Sequence, residues 1–359
     1  MDAGLEKIVA AETVLSDVDG ANGRLIIRGY EVADLAARFT YEQAAALLWS
    51  GFFDPEVDPG RLGADLGAAR VGAFQRLEAD LPRLAMLGDV EGLRAALALS
   101  VDGHDLAAAI DLAAVTAVAT AAIARLRADL KVLAPDAALG HAADLLRMIR
   151  GSPGSAAEAH ALDVYMVTTS DHGLNASTFV ARSVASTRAG LGSAVIAGLS
   201  ALKGPLHGGA PGPALDMLDA IGQPDNAEPW IRAALDRGER LMGFGHRVYR
   251  LRDPRADVLK RVVATLPASV GRLAMAQAIE GRILQRLAAE KPDRKLDTNV
   301  EYYTAILLEA LGVPRGSFTS LFACGRIIGW IAHAREQLAT QRLVRPASVY
   351  VGPRPRAAA

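Results

Sequence analysis

One cysteine, Cys324, stands in a chain of 359 residues. A single thiol excludes an internal disulfide framework and any metal site built from several thiolates, and it fits a reducing cytoplasm. Charge of one sign is lacking too: 39 Lys and Arg against 40 Asp and Glu leave a net −1. No global field draws in nucleic acid or an anionic membrane, so each basic residue is judged by its local placement. No uninterrupted apolar run reaches the ~18 residues of a membrane span, and none is expected. The first residues, "MDAGLEKIVAAETVLSDVDG", carry Asp2, Glu6, Lys7 and Glu12 and lack the apolar centre of a signal peptide.

What is present is ordinary for a packed globule: 51% hydrophobic and 22% charged residues. The length suits one large domain with a smaller lobe, or two domains. "NGRLIIRGY" is the best strand candidate, and "TYEQAAALLWSGFF" reads as a helix capped by Thr40 and stopped at Gly51. From Arg61 to Arg150, Leu and Ala recur at spacings of three and four, interrupted at Pro82, Gly88, Gly103 and Pro135. Between Pro153 and Pro205 two packed helices are expected, with "SDHGLN" at residues 170–175 as the break. Asp253-Pro254 opens another helix, and further helices fall near 270–290, 299–311 and 317–340. "PASVYVGP" reads as a short strand near the C-terminus. The fold class is all-α, with short β elements near the termini.

Two of the seven histidines stand out. "GPLHGGA" and "GFGHRVYR" wrap His207 and His246 in glycines, which let the backbone approach a ligand and leave the ring uncovered. A tight turn with a capping histidine would look the same for either segment alone; two of them point to a site. His104, His141, His160 and His333 read as solvated or core-edge histidines, and His172 in "SDHGLN" is nearly as plain. No His-x-x-x-His or Glu-x-x-His pairing accompanies the glycine-wrapped pair, so no metal site is expected, and no G-x-S-x-G elbow marks a nucleophile. A neutral imidazole can instead donate a hydrogen bond to a carbonyl oxygen as it gains negative charge.

Arg255 in "RDPRA", Arg326 in "FACGRIIGW" and Arg345 in "VRPASVYVG" are candidates to hold carboxylates. Arg326 follows the uncharged stretch "SFTSLFACG", and a buried arginine needs an anion. Arg247, Arg250 and Arg252 cluster beside His246 and suit a ligand phosphate, although a solvated basic loop reads alike. "DTNVEYYTAILLEALG" places Glu301 in the first turn of a helix, where it is either a helix-dipole glutamate or a base. Arginines for carboxylates, neutral histidines for carbonyls and one carboxylate base suit proton abstraction next to a carbonyl, followed by carbon–carbon bond formation.

In this order, "DVDGANGRLIIRGYEVADLA", "DHGLNASTFVARSVAST", "ALKGPLHGGA", "MGFGHRVYRLRDPRA", "NVEYY" and "GRIIGWIAHAREQ…RLVRPASVYVG" resemble the citrate synthase family, which includes 2-methylcitrate synthases. The resemblance implies a mostly helical homodimer whose site is completed by the partner subunit. Residues 1–209 with 313–359 would form the large domain, and 210–312 an inserted small helical domain. The implied reaction joins acetyl-CoA, or propionyl-CoA in the 2-methylcitrate synthases, to oxaloacetate with no metal or redox cofactor. By the same resemblance His207 would stabilise the thioester enol and His246 would polarise the oxaloacetate carbonyl. His172, Arg255 and Arg326, with Arg345 from across the dimer, would hold carboxylates, and Phe322 would pack beside the bound acids. Arg250 would meet a CoA phosphate, and the turn Gly243–Phe244–Gly245 would lie against the adenine.

Glu301 falls where the family's base is usually aspartate. The added methylene moves the carboxylate by about an ångström, which can cost ~100-fold in rate unless backbone or substrate shifts. The helix N-terminus is expected to keep Glu301 ionised; Asp297 is a weaker substitute. Gly173 and Leu174 also depart from the usual H-E-F-N, and Pro211 from the usual G-G-A-N. These three changes raise a second expectation, a weakened paralogue that binds rather than turns over its ligands.

Overall fold

The computed structural model describes residues 8–208, 211–246, 248–291 and 296–353. Its only sheet among them is a three-stranded antiparallel one near the N-terminus: β1 (Ser16–Asp19), β2 (Arg24–Ile27) and β3 (Tyr30–Glu31). β1 pairs with β2 in the register Ser16 to Ile27 and Asp19 to Arg24, which sends Leu25 and Ile27 into the core. The expected strand in "NGRLIIRGY" is therefore β2, and its neighbour β1 supports the wall of the site described below.

Helices make up the rest. α1 (Val32–Arg38) and α2 (Tyr41–Trp49) follow the sheet. Thr40 starts α2 with a capping box shared with Gln43. α3 (Leu62–Leu77), α4 (Leu81–Met86), α5 (Asp89–Ala98), α6 (Leu106–Arg127) and α7 (His141–Arg150) fill the expected helical stretch. Pro82 lies in the first turn of α4, where its missing N–H costs nothing, so it opens that helix rather than interrupting it. Among the described residues, α6 alone is long and apolar enough to cross a membrane, and most of it is buried within the fold. It is apolar on all sides because α3, α5, α7 and the later helix Phe318–Thr340 pack around it.

α8 (Ala156–Thr169), α9 (Ala176–Ala185) and α10 (Leu191–Leu202) occupy the stretch between Pro153 and Pro205. That is three helices, not the two expected. The extra break lies at residues 186–190, where Arg188 and Gly190 take φ of 64° and 104°. No proline advertises it. α11 (Pro211–Ile221), α12 (Ala227–Asp236), α13 (Pro254–Val263), α14 (Val270–Glu290), α15 (Val300–Ala310) and α16 (Phe318–Thr340) complete the order. The C-terminal strand expected in "PASVYVGP" does not form. Val349, Tyr350 and Val351 are exposed there and no strand lies beside them among the described residues. β-branched residues alone do not satisfy a strand's backbone.

Candidate active site

The break between α8 and α9, the loops before α11 and α13, and the starts of α15 and α16 surround a cavity of about 450 Å³. His172, His207, His246, Arg255, Glu301, Phe322 and Arg326 all line it, as do Gly243, Phe244 and Gly245. Segments that are far apart in the chain thus converge where the sequence expected one site.

Each histidine is held in a defined state. Asn175 caps α9 by accepting from Ser177 and Thr178 N–H, both at 3.1 Å. The same Ser177 N–H lies 3.3 Å from His207 Nε2. An amide N–H can only donate, so Nε2 is the acceptor and the ring proton belongs on Nδ1. His246 Nδ1 accepts from Val248 N–H at 3.0 Å and Tyr249 N–H at 3.2 Å, which leaves Nε2 as the protonated nitrogen. Burial, with Arg255 nearby, pushes the His246 pKa down to about 4. Its ring is a neutral donor at neutral pH. His172 is buried, and desolvation and Arg255 hold its pKa well below the ordinary value. Its Nε2 lies 3.1 Å from Tyr249 Oη, and its ring meets that of His246 edge-on at 5.4 Å.

Gly173 has a local reason. Its φ is 57° and its N–H donates to Ser16 Oγ at 3.0 Å, which presses it against β1. A Cβ there would come within 2.9 Å of Val18 Cγ2. A side chain at this position would strain both the backbone and the contact.

The two arginines differ in their partners. Arg255 makes a paired contact with Asp253, Nε to Oδ1 at 3.0 Å and Nη2 to Oδ2 at 2.8 Å. Asp253 also accepts from Val300 N–H at 3.1 Å, so one carboxylate fixes the guanidinium and the start of α15 together. Arg326 donates Nε to the Thr169 carbonyl at 2.6 Å, and its guanidinium lies 5.0 Å from the centre of the Phe322 ring. Its Nη2 is buried without a hydrogen-bond partner among the described residues. Burial pulls its pKa down to about 10. A cation in that condition favours a bound anion.

Glu301 sits at the first turn of α15, its N–H held by Asn299 Oδ1 at 3.0 Å. Asn299 also donates Nδ2 to the Gly245 carbonyl at 2.8 Å and its N–H to Gly243 O at 2.9 Å. The glycine turn and the glutamate are thereby joined. Glu301 Oε2 is buried with no partner among the described residues, and burial pushes its pKa up to about 7, against the pull of Arg255 and Arg326. This corrects the expectation that the helix N-terminus keeps it ionised. Desolvation outweighs the dipole, which contributes ~0.3–1 kcal/mol.

Other expectations fall outside the cavity. Arg252 pairs with Asp257 at 2.6 Å and Glu280 at 2.9 Å and does not line the cavity. Asp297 faces the same arginine at 3.3 Å and does not line the cavity, which removes it as a substitute base. Arg250 is exposed beyond the cavity wall and Arg345 lies on the exposed C-terminal segment. Arg247 lies outside the described residues. His141 and His333 are fully buried, not solvated, each with an arginine on one ring nitrogen. Ser177, Tyr249 and Asp253 were not singled out from the sequence as site residues. The cap pattern Asn-Ala-Ser and the Asp-Pro-Arg run carried the signal for Ser177 and Asp253.

Residues 4–347 match the citrate synthase family, described as the citrate synthase C-terminal domain. The putative citrate synthase 2 of Mycobacterium tuberculosis is 38% identical over 361 residues, covering 98% of this chain and 93% of the relative. The chain belongs to the citrate synthase family. It is an enzyme of the citrate synthase type, and the family reaction condenses an acyl-CoA with oxaloacetate. The 2-methylcitrate synthase of the same species is 37% identical, over 97% of this chain and 90% of the relative. Among solved structures, the citrate synthase of Thermoplasma acidophilum in ternary complex with carboxymethyl coenzyme A and oxaloacetate superposes with a TM-score of 0.89. It covers 100% of this chain and 98% of that one at 27% identity.

Proposed function

We propose that this enzyme condenses acetyl-CoA with oxaloacetate and water to give citrate and CoA, with Glu301 as the base. The Glu301 carboxylate takes a methyl proton from the thioester. His207, protonated on Nδ1, donates to the thioester oxygen as the enol forms. The enol carbon attacks the oxaloacetate carbonyl carbon while His246 Nε2–H stabilises the developing oxyanion. Water then hydrolyses the citryl-CoA thioester, releasing citrate and CoA. His172, Arg255 and Arg326 hold the oxaloacetate carboxylates beside Phe322. Arg345 of a second copy reaches one of them in a homodimer, Arg250 meets a CoA phosphate, and the turn at Gly243–Gly245 lies along the adenine. Residues 210–312 act as a small domain that closes on 1–209 and 313–359, in the cytoplasm.

One observation carries this reading. A carboxylate with an unpartnered oxygen, a buried arginine with an unpartnered nitrogen and histidines with assigned ring protons line the same cavity. The decisive experiment measures CoA release with oxaloacetate and either acetyl-CoA or propionyl-CoA, for the wild type, Glu301→Asp and Glu301→Gln. Turnover abolished in Glu301→Gln with oxaloacetate binding retained is the expected result. A silent wild type that gains activity in Glu301→Asp would refute it and favour a protein that binds without turning over. One methylene separates the two thioesters, worth ~1–3 kcal/mol in an apolar pocket. Faster turnover of propionyl-CoA would make the product 2-methylcitrate.

A further inference from the structure

A buried polar cluster outside the cavity runs behind the residues assigned to oxaloacetate. His333 on α16 and Asp171 are both fully buried, with His333 Nε2 3.1 Å from Asp171 Oδ1 and 3.3 Å from Oδ2. Arg182 on α9 lies 3.0 Å from the other ring nitrogen, Nδ1. Arginine can only donate, so Nδ1 accepts and Nε2–H is the group that donates to Asp171. Arg182 is held in turn by Glu336 and by Gln337 Oε1, the latter at 3.1 Å. Glu336 also receives the Val14 N–H at 2.8 Å. The ring is thus anchored from α9, from α16 and from the segment leading into β1.

A single stripe of α16 contacts three consecutive residues before His172. Arg326 takes the Thr169 carbonyl at 2.6 Å. Gly329 lies so close to the next residue that a Cβ would be 2.1 Å from the Ser170 carbonyl oxygen. His333 takes the Asp171 carboxylate. Residues 326, 329 and 333 share one helix face, so the contacts fix the register of the 169–172 turn along α16. Burial works against the charge on Asp171, but His333, with the Ser16 hydroxyl and the Arg326 charge, keeps its pKa below the ordinary carboxylate value. Moving the turn along the helix would separate a buried charge from its donor.

We propose that His333 is a positioning residue for oxaloacetate. Through Asp171 it holds His172 in register with Arg326. The proposal rests on the assignment of these two residues to oxaloacetate. A pair that only stabilised the core would change unfolding without choosing between the two substrates. A displacement of ~1 Å at a binding group can cost ~100-fold, so the effect should be selective and measurable.

The experiment takes His333→Leu, His333→Gln, Asp171→Asn and, as reference, Arg326→Leu. It measures kcat, both KM values and the oxaloacetate Kd by calorimetry. His333→Leu is expected to raise the oxaloacetate KM and Kd by about tenfold or more, with the thioester KM within about twofold of wild type. His333→Gln should recover most of the loss, because its amide can both donate to Asp171 and accept from Arg182. Should His333→Leu fail to fold, Asp171→Asn is held to the same criterion. Oxaloacetate parameters unchanged in the folded variants, or both KM values rising together, would overturn the proposal. If Arg326→Leu weakens oxaloacetate binding while the His333 variants do not, this proposal falls alone. If wild type does not bind oxaloacetate, the assignment of His172 and Arg326 falls and takes this one with it.

Discussion

Replacing Glu301 with glutamine should make the protein inactive and, above neutral pH, more stable. Burial raises the Glu301 pKa from 4.5 to about 7 in the fold. The native state therefore holds a proton between those values that the unfolded chain has released. Its stabilising effect is complete below pH 4.5 and is lost as pH rises through 7. A shift of that size corresponds to about 3 kcal/mol at pH 8 and under about 1 kcal/mol at pH 5. Glutamine has nearly the same shape, carries no charge, and escapes the penalty. Urea unfolding of wild type and Glu301→Gln at both pH values reads the difference directly. CoA release provides the opposite arm. Only the ionised base works, so wild-type kcat/KM should climb with pH, with about a tenth of the sites ionised at pH 6 and about nine tenths at pH 8. A stability difference of equal size at both pH values, or a glutamine variant less stable at pH 8, would refute the reasoning.

Arg326→Leu should weaken oxaloacetate binding by about 2–5 kcal/mol, roughly 30- to several thousand-fold, by calorimetry. Unfolding should lose about 1–3 kcal/mol, because the buried Thr169 carbonyl is left without its donor; unaltered affinity would remove Arg326 from the site. Arg255→Leu should behave differently. It strands the buried Asp253 carboxylate and should cost about 3–5 kcal/mol in urea unfolding, and a loss below about 1 kcal/mol would contradict the pairing.

The features legible in the sequence were those decided within a few residues. Thr40, Asp253 and Asn299 each cap the helix that follows, because a cap is a bond between one side chain and an N–H two or three positions on. The break at 186–190 was missed because Arg188 and Gly190 turn the chain with no proline to announce it. "PASVYVGP" has strand composition, but strand formation depends on a neighbour that the segment itself cannot supply. Arg252 read as part of a basic cluster, open to a phosphate or to solvent, because one of its partners, Glu280, is remote in sequence.

The sequence by itself determined the helical architecture and the absence of a disulfide framework, through periodicity and composition. Local surroundings marked His207, His246, Arg255 and Arg326, whereas His172, Phe322 and the Gly243–Gly245 turn were marked by the resemblance to citrate synthases alone. Tertiary structure alone decided the state in which those residues work. His246 is neutral and Glu301 is half-protonated near pH 7 because packing from distant segments removes water from both. His333 meets Asp171 only because the fold lays α16 against the 169–172 turn. Protonation and orientation depend on the dielectric and on partners brought together by the fold, and neither is written in any local stretch of the chain.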